Sequence, residues 1–374
     1  MDYTEIRRHL HSIAEPSNEE KNTSSFIVEQ LENTAPTKIR RFGSGHHILA
    51  EYDFGNGGST VLLRADMDAV CVQESSSLPY HSLQEGVSHK CGHDGHSTIL
   101  LAVAEMLRKK PLPRGKVLLL FQGAEETGSG AQEILSDGML SEYDIEHVYA
   151  LHNIPATEKN TIICKPNSFT CSVVSCEITL KGKTAHAAEP WNAVSPFKTA
   201  NHITEFVMSL NNNNIDSDDF CVATLIEFRI GEKAYGVAAG NGVLRFTIRT
   251  KSDPLLKKIK SQIEEIVKTE TAKIHGLESS VNWIEYFAAT DNAAEAVDTI
   301  LQSAKKLGLE YYNKPAPFFW GEDFGLFTQH YTGALFGLGS GTCQPPLHHP
   351  DFDFPDEIIE TGAKMFYELA TRSV

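Results

Sequence analysis

The amino-acid sequence predicts an α/β catalytic domain, built on a mixed, mostly parallel sheet flanked by helices, that carries an inserted ferredoxin-like α+β domain. Three short apolar runs, at residues 60–65, 116–121 and 147–151, alternate with helical patterns, as the buried strands of βαβ units do. The stretch 174–287 instead follows the order β-α-β-β-α-β, which is typical of a ferredoxin-like unit. At 374 residues the chain exceeds one typical core, so two domains are expected.

The helices and strands are predicted from hydrophobic periodicity and from the Gly, Pro and Asn residues that mark turns between them. The catalytic domain is discontinuous, at 1–173 and 288–374, with helices expected at 3–13, 16–31, 97–109, 292–307 and 356–372, and strands at 39–42, 47–54, 60–65, 116–121, 147–151 and 334–338. The inserted domain occupies 174–287, with strands expected at 174–182, 220–230, 242–250 and 280–287 and helices at 193–210 and 253–275.

Composition argues against several classes of function. The net charge of −16 disfavours a nucleic-acid partner, since phosphate binding requires clustered Lys and Arg. No apolar stretch approaches the roughly 18 residues that span a bilayer, and the N-terminus lacks the basic and apolar regions of a signal peptide. The seven cysteines are scattered, without the spacing of a disulfide framework. We therefore expect a cytoplasmic protein that contacts neither nucleic acid nor membranes.

Acidic and imidazole side chains follow the predicted strands at the point where each strand ends. Asp66 and Asp68 follow the first, Glu125 and Glu126 follow the second, and His152 follows the third. Ligands of open α/β sheets bind beside the carboxyl ends of the strands. These side chains are therefore expected to meet at one edge of the sheet.

The loop from Lys90 to His96 brings a thiol, two imidazoles and a carboxylate together just before a predicted helix. Cys91 and His93 are two residues apart, and the N-terminus of the helix would favour a thiolate through its dipole. Thiolate with imidazole suits zinc or a similar transition metal better than calcium or magnesium. A buried cysteine beside a capping aspartate explains the same residues equally well, so the pair alone decides nothing.

The carboxylates also have two interpretations each. Glu126 can bind a metal while Glu125 serves as general base, or both can decorate the N-terminus of a helix. Asp68 can orient a metal-bound imidazole, or it can simply form a turn.

The sequence alone also does not decide whether the histidines are functional or structural. A single His after a strand, such as His152, is more often a core residue, and His186 fits a surface loop. Sequence alone does not separate His348 from its neighbour His349 as a ligand.

Taken together, the motifs resemble the M20 metallopeptidase family, most closely its amidohydrolase branch of N-acyl-amino-acid hydrolases, hippurate hydrolases and N-acetyl-diaminopimelate deacetylases. The segments that carry the resemblance span nearly the whole chain in the family order. They are Arg64–Ala69, His89–His96, Gly123–Glu126, Leu151–Pro155, Gly182–Pro190, Gly321–Phe324 and Leu347–Pro350. Each segment alone is weak evidence for the family, but the seven segments in this order are specific for it.

The resemblance implies a hydrolase with two divalent metal ions, zinc or manganese first and cobalt or nickel as alternatives. The implied metal ligands are Cys91, His93, Glu126, His152 and His348; Asp68 is an outer carboxylate, Glu125 the general base, and His186 a catalytic residue that binds the substrate carbonyl or carboxylate. The inserted domain is implied to act as a lid and to form a homodimer. The implied enzyme is an aminoacylase-type amidohydrolase, acting on C–N bonds other than peptide bonds. Its expected reaction cleaves the amide of an N-acetyl, N-benzoyl or similar amino acid, with a metal-activated water as nucleophile.

Two departures from the family pattern concern the substrate pocket. Gly236 stands where relatives have an Asn, for which Asn241 is the candidate substitute, and Trp320 stands where relatives have a small residue. A metal- or ligand-binding relative that has lost its catalytic activity is the alternative function, although the intact Glu125–Glu126 pair argues against it. A third hypothesis is a redox-regulated enzyme, which oxidation of Cys91 would inactivate.

Overall fold

The chain builds most of one structural unit, leaves it for a second, and then returns to complete the first. The computed structural model describes residues 1–75 and 77–373; residues 76 and 374 of the expected catalytic domain lie outside the described part. The first unit contains Met1–Phe169, Thr290–Pro315 and the chain from Glu322 onward, and the second contains Thr170–Ala289 and Ala316–Gly321. Residues 316–321 thus group with the second unit, although the expected boundaries assign them to the catalytic domain.

The first 169 residues contain four helices and seven strands among those described. The helices are α1 (Tyr3–Ser12), α2 (Lys21–Glu32), α3 (His93–Lys109) and α4 (Gly130–Asp137), with a 3-10 turn at Met139–Glu142. The strands are β1 (Lys38–Phe42), β2 (His47–Asp53), β3 (Thr60–Asp66), β4 (Lys116–Gln122), β5 (Ile145–Pro155), β6 (Ile162–Cys164) and β7 (Asn167–Ser168).

The remaining elements follow in the second unit and in the returning chain. The second unit contains β8 (Ser172–Lys181), β9 (Ala185–His186), a 3-10 turn at Pro190–Asn192, α5 (Phe197–Ser209), β10 (Cys221–Ile230), β11 (Val237–Ala238), β12 (Asn241–Thr250), α6 (Asp253–Ala272) and β13 (Glu278–Phe287). The returning chain contains β14 (Asp291–Asn292), α7 (Ala294–Lys306), β15 (Tyr311–Asn313), α8 (Gly325–Thr328), β16 (Gly333–Gly341), a 3-10 turn at Asp356–Ile358 and α9 (Ile359–Ser373).

An eight-stranded sheet organises the first unit, in the order β1-β2-β4-β3-β5-β16-β6-β15. The central strands β4, β3, β5 and β16 are parallel, whereas β1, β2 and β6 join antiparallel neighbours. Both faces of β3 are buried, because Val61 and Leu63 enter the main core with α3 and α9 while Leu62 and Arg64 lie on the opposite face. The predicted α/β class with a mixed, mostly parallel sheet is confirmed.

Helix α3 begins four residues earlier than the sequence predicts, at His93 instead of Ser97. Gly92 permits the early start, because its φ of +101° is a conformation that side chains rarely adopt. A Cβ at that position would overlap Oδ1 of Asn153. His93 and His96 therefore lie on the first turn of the helix, where residues three apart share one face.

The second unit has the predicted β-α-β-β-α-β order. Its four-stranded antiparallel sheet runs β10-β12-β8-β13, and α5 and α6 pack on it over a core that includes Ile178, Ile203 and Phe246. The small pair β9–β11 joins His186 to Val237. In the described part of the chain, no helix is long and apolar enough to cross a bilayer.

Candidate metal centre

Four segments of the first unit meet at the carboxyl edge of the parallel strands. Cys91 precedes α3 and His93 opens it, Glu126 lies in the turn after β4, His152 lies near the end of β5, and His348 lies in the loop after β16. The structure therefore brings together all five residues predicted as ligands. The strand-end argument explains why, since parallel strands present their carboxyl ends at a common edge.

The five side chains form two groups that share Cys91. One group joins Cys91, His93 and His152, and the other joins Cys91, Glu126 and His348; in each group the candidate ligand atoms lie within 4.8 Å of one another. Sγ of Cys91 is 3.4 Å from Nε2 of His152, and Nε2 of His348 is 3.4 Å from Oε1 of Glu126. A single sulfur between two such groups is an arrangement suited to two adjacent cations.

Two buried polar atoms at the centre of this cluster support a cation site. Nε2 of His93 and Oε1 of Glu126 have no hydrogen-bond partner among the described residues, although they lie 3.7 Å apart. Buried polar atoms are nearly always satisfied in native proteins. A divalent ion would satisfy both atoms at once, so the residues present fit a metal.

The protein groups around the cluster favour the protonated forms of Cys91 and His93. Burial, reinforced by the charge of Glu126, raises the pKa of the Cys91 thiol well above its usual range. Burial alone would lower the pKa of His93, but neighbouring carboxylates, Asp66 foremost, outweigh it and raise that pKa to about 10. Burial and the nearby carboxylates thus shift the Cys91 pKa in the direction opposite to that expected from the helix dipole. A cation would replace these protons as the balancing charge.

Glu125 lies deeper than Glu126 and is surrounded by other acids. Burial, and then the charges of Glu322 and Glu126, raise the pKa of Glu125 well above its usual range. Its Oε1 accepts a 3.3 Å hydrogen bond from the backbone N–H of Asp323. Glu125 is thus a carboxyl with an increased affinity for a proton, held beside the candidate ligands.

Asp68 ties together three segments around the cluster. Its Oδ2 accepts hydrogen bonds from Oγ of Ser17 at 2.7 Å and from the backbone N–H of Glu126 at 3.0 Å. The side chain is fully buried. Asp68 therefore supports the turn that carries Glu126 as well as the imidazole of His93.

Sequence reasoning missed a buried charge network under the site, centred on Arg64. The guanidinium is fully buried and donates to Asp66 at 2.6 Å, Glu322 at 3.0 Å and Asp323 at 2.8 Å. Gln122 completes the network by donating to Asp323. A signal was present, because an Arg inside the apolar run 60–65 requires a buried partner.

His96 makes a second set of hydrogen-bond contacts, with Asp66 and Asn153, which the sequence does not predict. Nδ1 of His96 lies 2.6 Å from Oδ1 of Asp66, and its Nε2 lies 2.6 Å from Oδ1 of Asn153. These contacts occupy both ring nitrogens of His96. The ring therefore links Asp66, at the end of β3, to Asn153, which is next to His152 in β5.

The remaining predicted site residues lie in the second unit. His186 is exposed in β9, and its Nδ1 accepts a 3.1 Å hydrogen bond from the backbone N–H of Ala188. Asn241 opens β12 with an exposed side chain, and its backbone carbonyl accepts from Gly231. Gly236 has open space around its Cα, and its carbonyl accepts from Ala187. Trp320 stacks on Phe318.

The sequence profile of peptidase family M20/M25/M40 matches residues 62–372. The chain belongs to this family. The match includes every predicted metal ligand and the predicted base, and it confirms the resemblance that the motifs suggested.

Relatives in the M20 family cover nearly all of the chain. An N-acetyl-L-cysteine deacetylase of Bacillus subtilis is 30% identical over 98% of this chain and 87% of its own length. An N-acetylcysteine deacetylase of the same organism is 27% identical over 98% of this chain and 95% of its own length. The YXEP protein of Bacillus subtilis, a dinuclear metal-binding peptidase of the M20 family, is 25% identical, with a TM-score of 0.83 over 99% of this chain and 96% of that one.

These similarities confirm two of the predictions from sequence. The fold class agrees with that of the solved M20 structure. The chain is a metal-dependent hydrolase, and relatives named as deacetylases agree with an amidohydrolase that acts on C–N bonds other than peptide bonds. The family and its dinuclear member also support a site for two divalent ions. The role of each individual residue stays a prediction.

Proposed function

We propose that the protein hydrolyses the amide bond of N-acyl amino acids, with small acyl groups such as acetyl as the first candidates. The observation that supports this most directly is the pair of ligand groups sharing Cys91, with the buried Glu125 beside them. Relatives named for the deacetylation of N-acetylcysteine support the choice of an acylated amino acid.

In this proposal five side chains would hold two divalent ions. Cys91 is shared, His93 and His152 complete one group, and Glu126 and His348 complete the other. Thiolate and imidazole favour zinc, while the carboxylate of the second group also suits manganese. When bound, such ions polarise an acyl carbonyl and lower the pKa of water towards about 7.

Glu125 acts as the general base and acid. Burial among other carboxyls raises the pKa of Glu125 and so increases the affinity of its carboxylate for a proton. As the carboxylate it takes a proton from the attacking water, and as the resulting acid it passes that proton to the leaving amine. The backbone N–H of Asp323 fixes the direction of the carboxyl, because it donates to Oε1 of Glu125. A base of this kind contributes about 10²–10⁴-fold to the rate.

His186 is proposed to bind the substrate carbonyl or carboxylate, with Asn241 as a further substrate contact. The hydrogen bond from Ala188 occupies Nδ1 of His186, and this favours the neutral tautomer with its proton on Nε2. That tautomer supplies the donor that an acyl oxygen requires.

We further propose that the protein acts as a cytoplasmic homodimer through the second unit. Strand β10 lies at the edge of its sheet and exposes Leu225, Ile226 and Phe228. An exposed apolar edge strand is suited to pairing with a second copy. A single monomer mass in light scattering at micromolar concentration would contradict this, whereas Ile226→Lys is expected to shift a dimer to monomers.

A panel of N-acetyl and N-benzoyl amino acids tests the catalytic proposal. Metal-free protein is reconstituted with Zn²⁺ or Mn²⁺, and release of the free amino acid is measured for the wild type, for Glu125→Gln and for Glu142→Gln. Glu142 is an exposed acid paired with Arg40 and serves as the matched control. We expect Glu125→Gln to lose at least about 10²-fold in kcat while still binding metal, and Glu142→Gln to behave as wild type.

The same panel distinguishes the catalytically inactive alternative. Metal binding without hydrolysis of any substrate would favour a binding protein on the same fold. Full activity of Glu125→Gln would exclude that residue as the base.

A further inference from the structure

The backbone on both sides of Glu125 is held by carboxylates from distant parts of the chain. The N–H of Ala124 donates to Oε1 of Glu20 at 2.7 Å, and the N–H of Glu126 donates to Oδ2 of Asp68 at 3.0 Å. Hydrogen bonds to carboxylates are stronger than those between neutral groups. The direction in which Glu125 leaves the turn therefore depends on both contacts.

Ala124 has a backbone conformation that requires such a contact. Its φ of +56° is in the left-handed region, which residues with a Cβ rarely adopt. The carbonyl of Ala124 accepts from the N–H of Gly130, so the residue is bound at both ends of its peptide unit. Without an acceptor for its N–H, Ala124 is expected to relax towards negative φ. That change would rotate the residues that follow.

Glu20 is fitted closely to this turn. Its carboxyl packs against Gly123, where an added Cβ would lie 2.7 Å from Oε1, and the same oxygen accepts from the N–H of Asn18 at 3.1 Å. The other oxygen, Oε2, is buried and has no hydrogen-bond partner among the described residues. No Lys, Arg or His described in the structure forms an ion pair with Glu20.

The usual structural roles do not explain a buried acid at this position. Glu20 is the N-cap residue of α2, yet its side chain makes no capping hydrogen bond. Glu15 does that instead, by accepting from the N–H groups of Asn22 and Thr23. Burial, with the charge of Asp68 nearby, raises the pKa of Glu20 to about 7. A buried carboxyl without a counter-ion destabilises a fold, so stability alone gives no reason to keep it.

We propose that Glu20 is a positioning residue for catalysis: its carboxyl oxygen holds Ala124 in the left-handed conformation and thereby directs Glu125 and Glu126 into the site. This rests on the proposed function, in which Glu125 is the base and Glu126 a metal ligand. Glu20 itself touches neither substrate nor metal in this proposal. Its effect passes through one backbone hydrogen bond.

The test compares substitutions that keep or remove the acceptor. Glu20→Gln retains an oxygen at the same reach, Glu20→Asp retains the charge but withdraws it by one methylene, and Glu20→Ala removes both. Glu15→Ala is the matched control, because it removes a carboxylate of the same segment that only caps α2. For each variant kcat, KM, the melting temperature and the Zn²⁺ affinity of the metal-free protein are measured.

We expect kcat to fall at least tenfold in Glu20→Ala and at least fivefold in Glu20→Asp, with KM changed less than threefold. Glu20→Gln is expected to stay within threefold of wild type, and Glu15→Ala to lose thermal stability without losing kcat. One of two Zn²⁺ ions should bind at least fivefold more weakly in Glu20→Ala and Glu20→Asp, because Glu126 moves with the same turn. If Glu20→Ala does not fold, Glu20→Asp carries the comparison.

The proposal is overturned if Glu20→Asp keeps kcat and Zn²⁺ affinity within twofold of wild type, or if Glu20→Gln is as impaired as Glu20→Asp. Equal loss of kcat in Glu15→Ala would also overturn it, since the effect would then follow the stability of the segment. Failure of the proposed function has a different signature. In that case the wild type hydrolyses nothing, while the Zn²⁺ titration still reports whether Glu20 holds the turn.

Discussion

Nδ1 of His93 lies 2.9 Å from the backbone carbonyl oxygen of Asp68 and 3.3 Å from Oδ1 of its carboxylate. A carbonyl oxygen only accepts, so this contact assigns the proton to Nδ1 of His93. Nε2 is the ring nitrogen left without a hydrogen-bond partner among the described residues, and it would offer its lone pair when a cation replaces its proton. One residue thus sets the tautomer of His93 and supplies a nearby negative charge.

Replacing Asp68 by Asn is expected to weaken metal binding without unfolding the protein. The backbone carbonyl still fixes the tautomer, and the Asn side chain keeps an acceptor for the N–H of Glu126, but the carboxylate charge near His93 is lost. Outer carboxylates of this kind contribute about 10–100-fold to metal affinity, so Zn²⁺ should bind about tenfold more weakly. Competition with a chelator measures this. Asp298→Asn, on the surface of α7, is the control, and equal affinities in the two variants would refute the prediction.

Gly92→Ala is expected to disrupt the loop that carries Cys91. Gly92 has φ +101°, and an added Cβ would overlap Oδ1 of Asn153. Left-handed backbone costs about 1–2 kcal/mol for a residue with a Cβ, and overpacking adds about 1–3 kcal/mol. The free energy of unfolding in urea should therefore fall by about 2–5 kcal/mol.

Gly45→Ala separates the two contributions to that loss. Gly45 has φ +90° with nothing near its Cα, so the substitution should cost only the backbone term of about 1–2 kcal/mol. A loss in Gly92→Ala no greater than in Gly45→Ala would show that the contact with Asn153 is unimportant.

The sequence predicts the positions of residues that follow strands better than it predicts their contacts. Parallel strands align their ends, so Glu126 and His152 could be expected at one edge from chain order alone. The sequence pattern places the start of α3 too late, because Gly92, a residue typical of turns, here precedes a helix that begins at His93. The rule for strand ends depends on topology, whereas the helix start depends on a single backbone angle.

Contacts between distant segments differ in how far the sequence reveals them. Arg64 is conspicuous as a charge inside an apolar strand, although its partners Glu322 and Asp323 lie more than 250 residues away. Glu20 carries no such mark, since an acid at the start of an amphipathic helix is ordinary. Its importance depends on the left-handed angle of Ala124, which no local pattern reveals.

Arg64→Met is expected to be strongly destabilising. It would leave three buried carboxyls, on Asp66, Glu322 and Asp323, without their shared cation. Removing one partner of a buried ion pair costs about 3–5 kcal/mol. Arg229→Met removes an exposed Arg paired with Glu227 and should change stability by less than about 1 kcal/mol. Urea unfolding of both variants checks this, and similar losses in the two would contradict it.

His11 is expected to make the stability of the first unit depend on pH. The ring is buried, with Nδ1 2.9 Å from Asp94 and Nε2 3.2 Å from Glu74. Burial alone would lower the pKa of His11, but the two carboxylates outweigh it and raise the pKa to about 9. Arg7 also pairs with Asp94, and Lys90 with Glu74, so the cluster holds cations on both sides of the ring.

The sign of the effect follows from the direction of that shift. The folded protein holds the proton of His11 more tightly than the unfolded chain, whose imidazole has a pKa of about 6.5. The stabilisation is therefore complete below pH 6.5 and disappears as the pH rises through about 9. The shift corresponds to about 3 kcal/mol at most. His11→Gln removes this titration, so the stability difference between wild type and variant, measured in urea with chelator present, should shrink between pH 6 and pH 10. Parallel pH profiles would mean that His11 stays neutral in the folded protein and that Arg7 and Lys90 alone balance the two carboxylates.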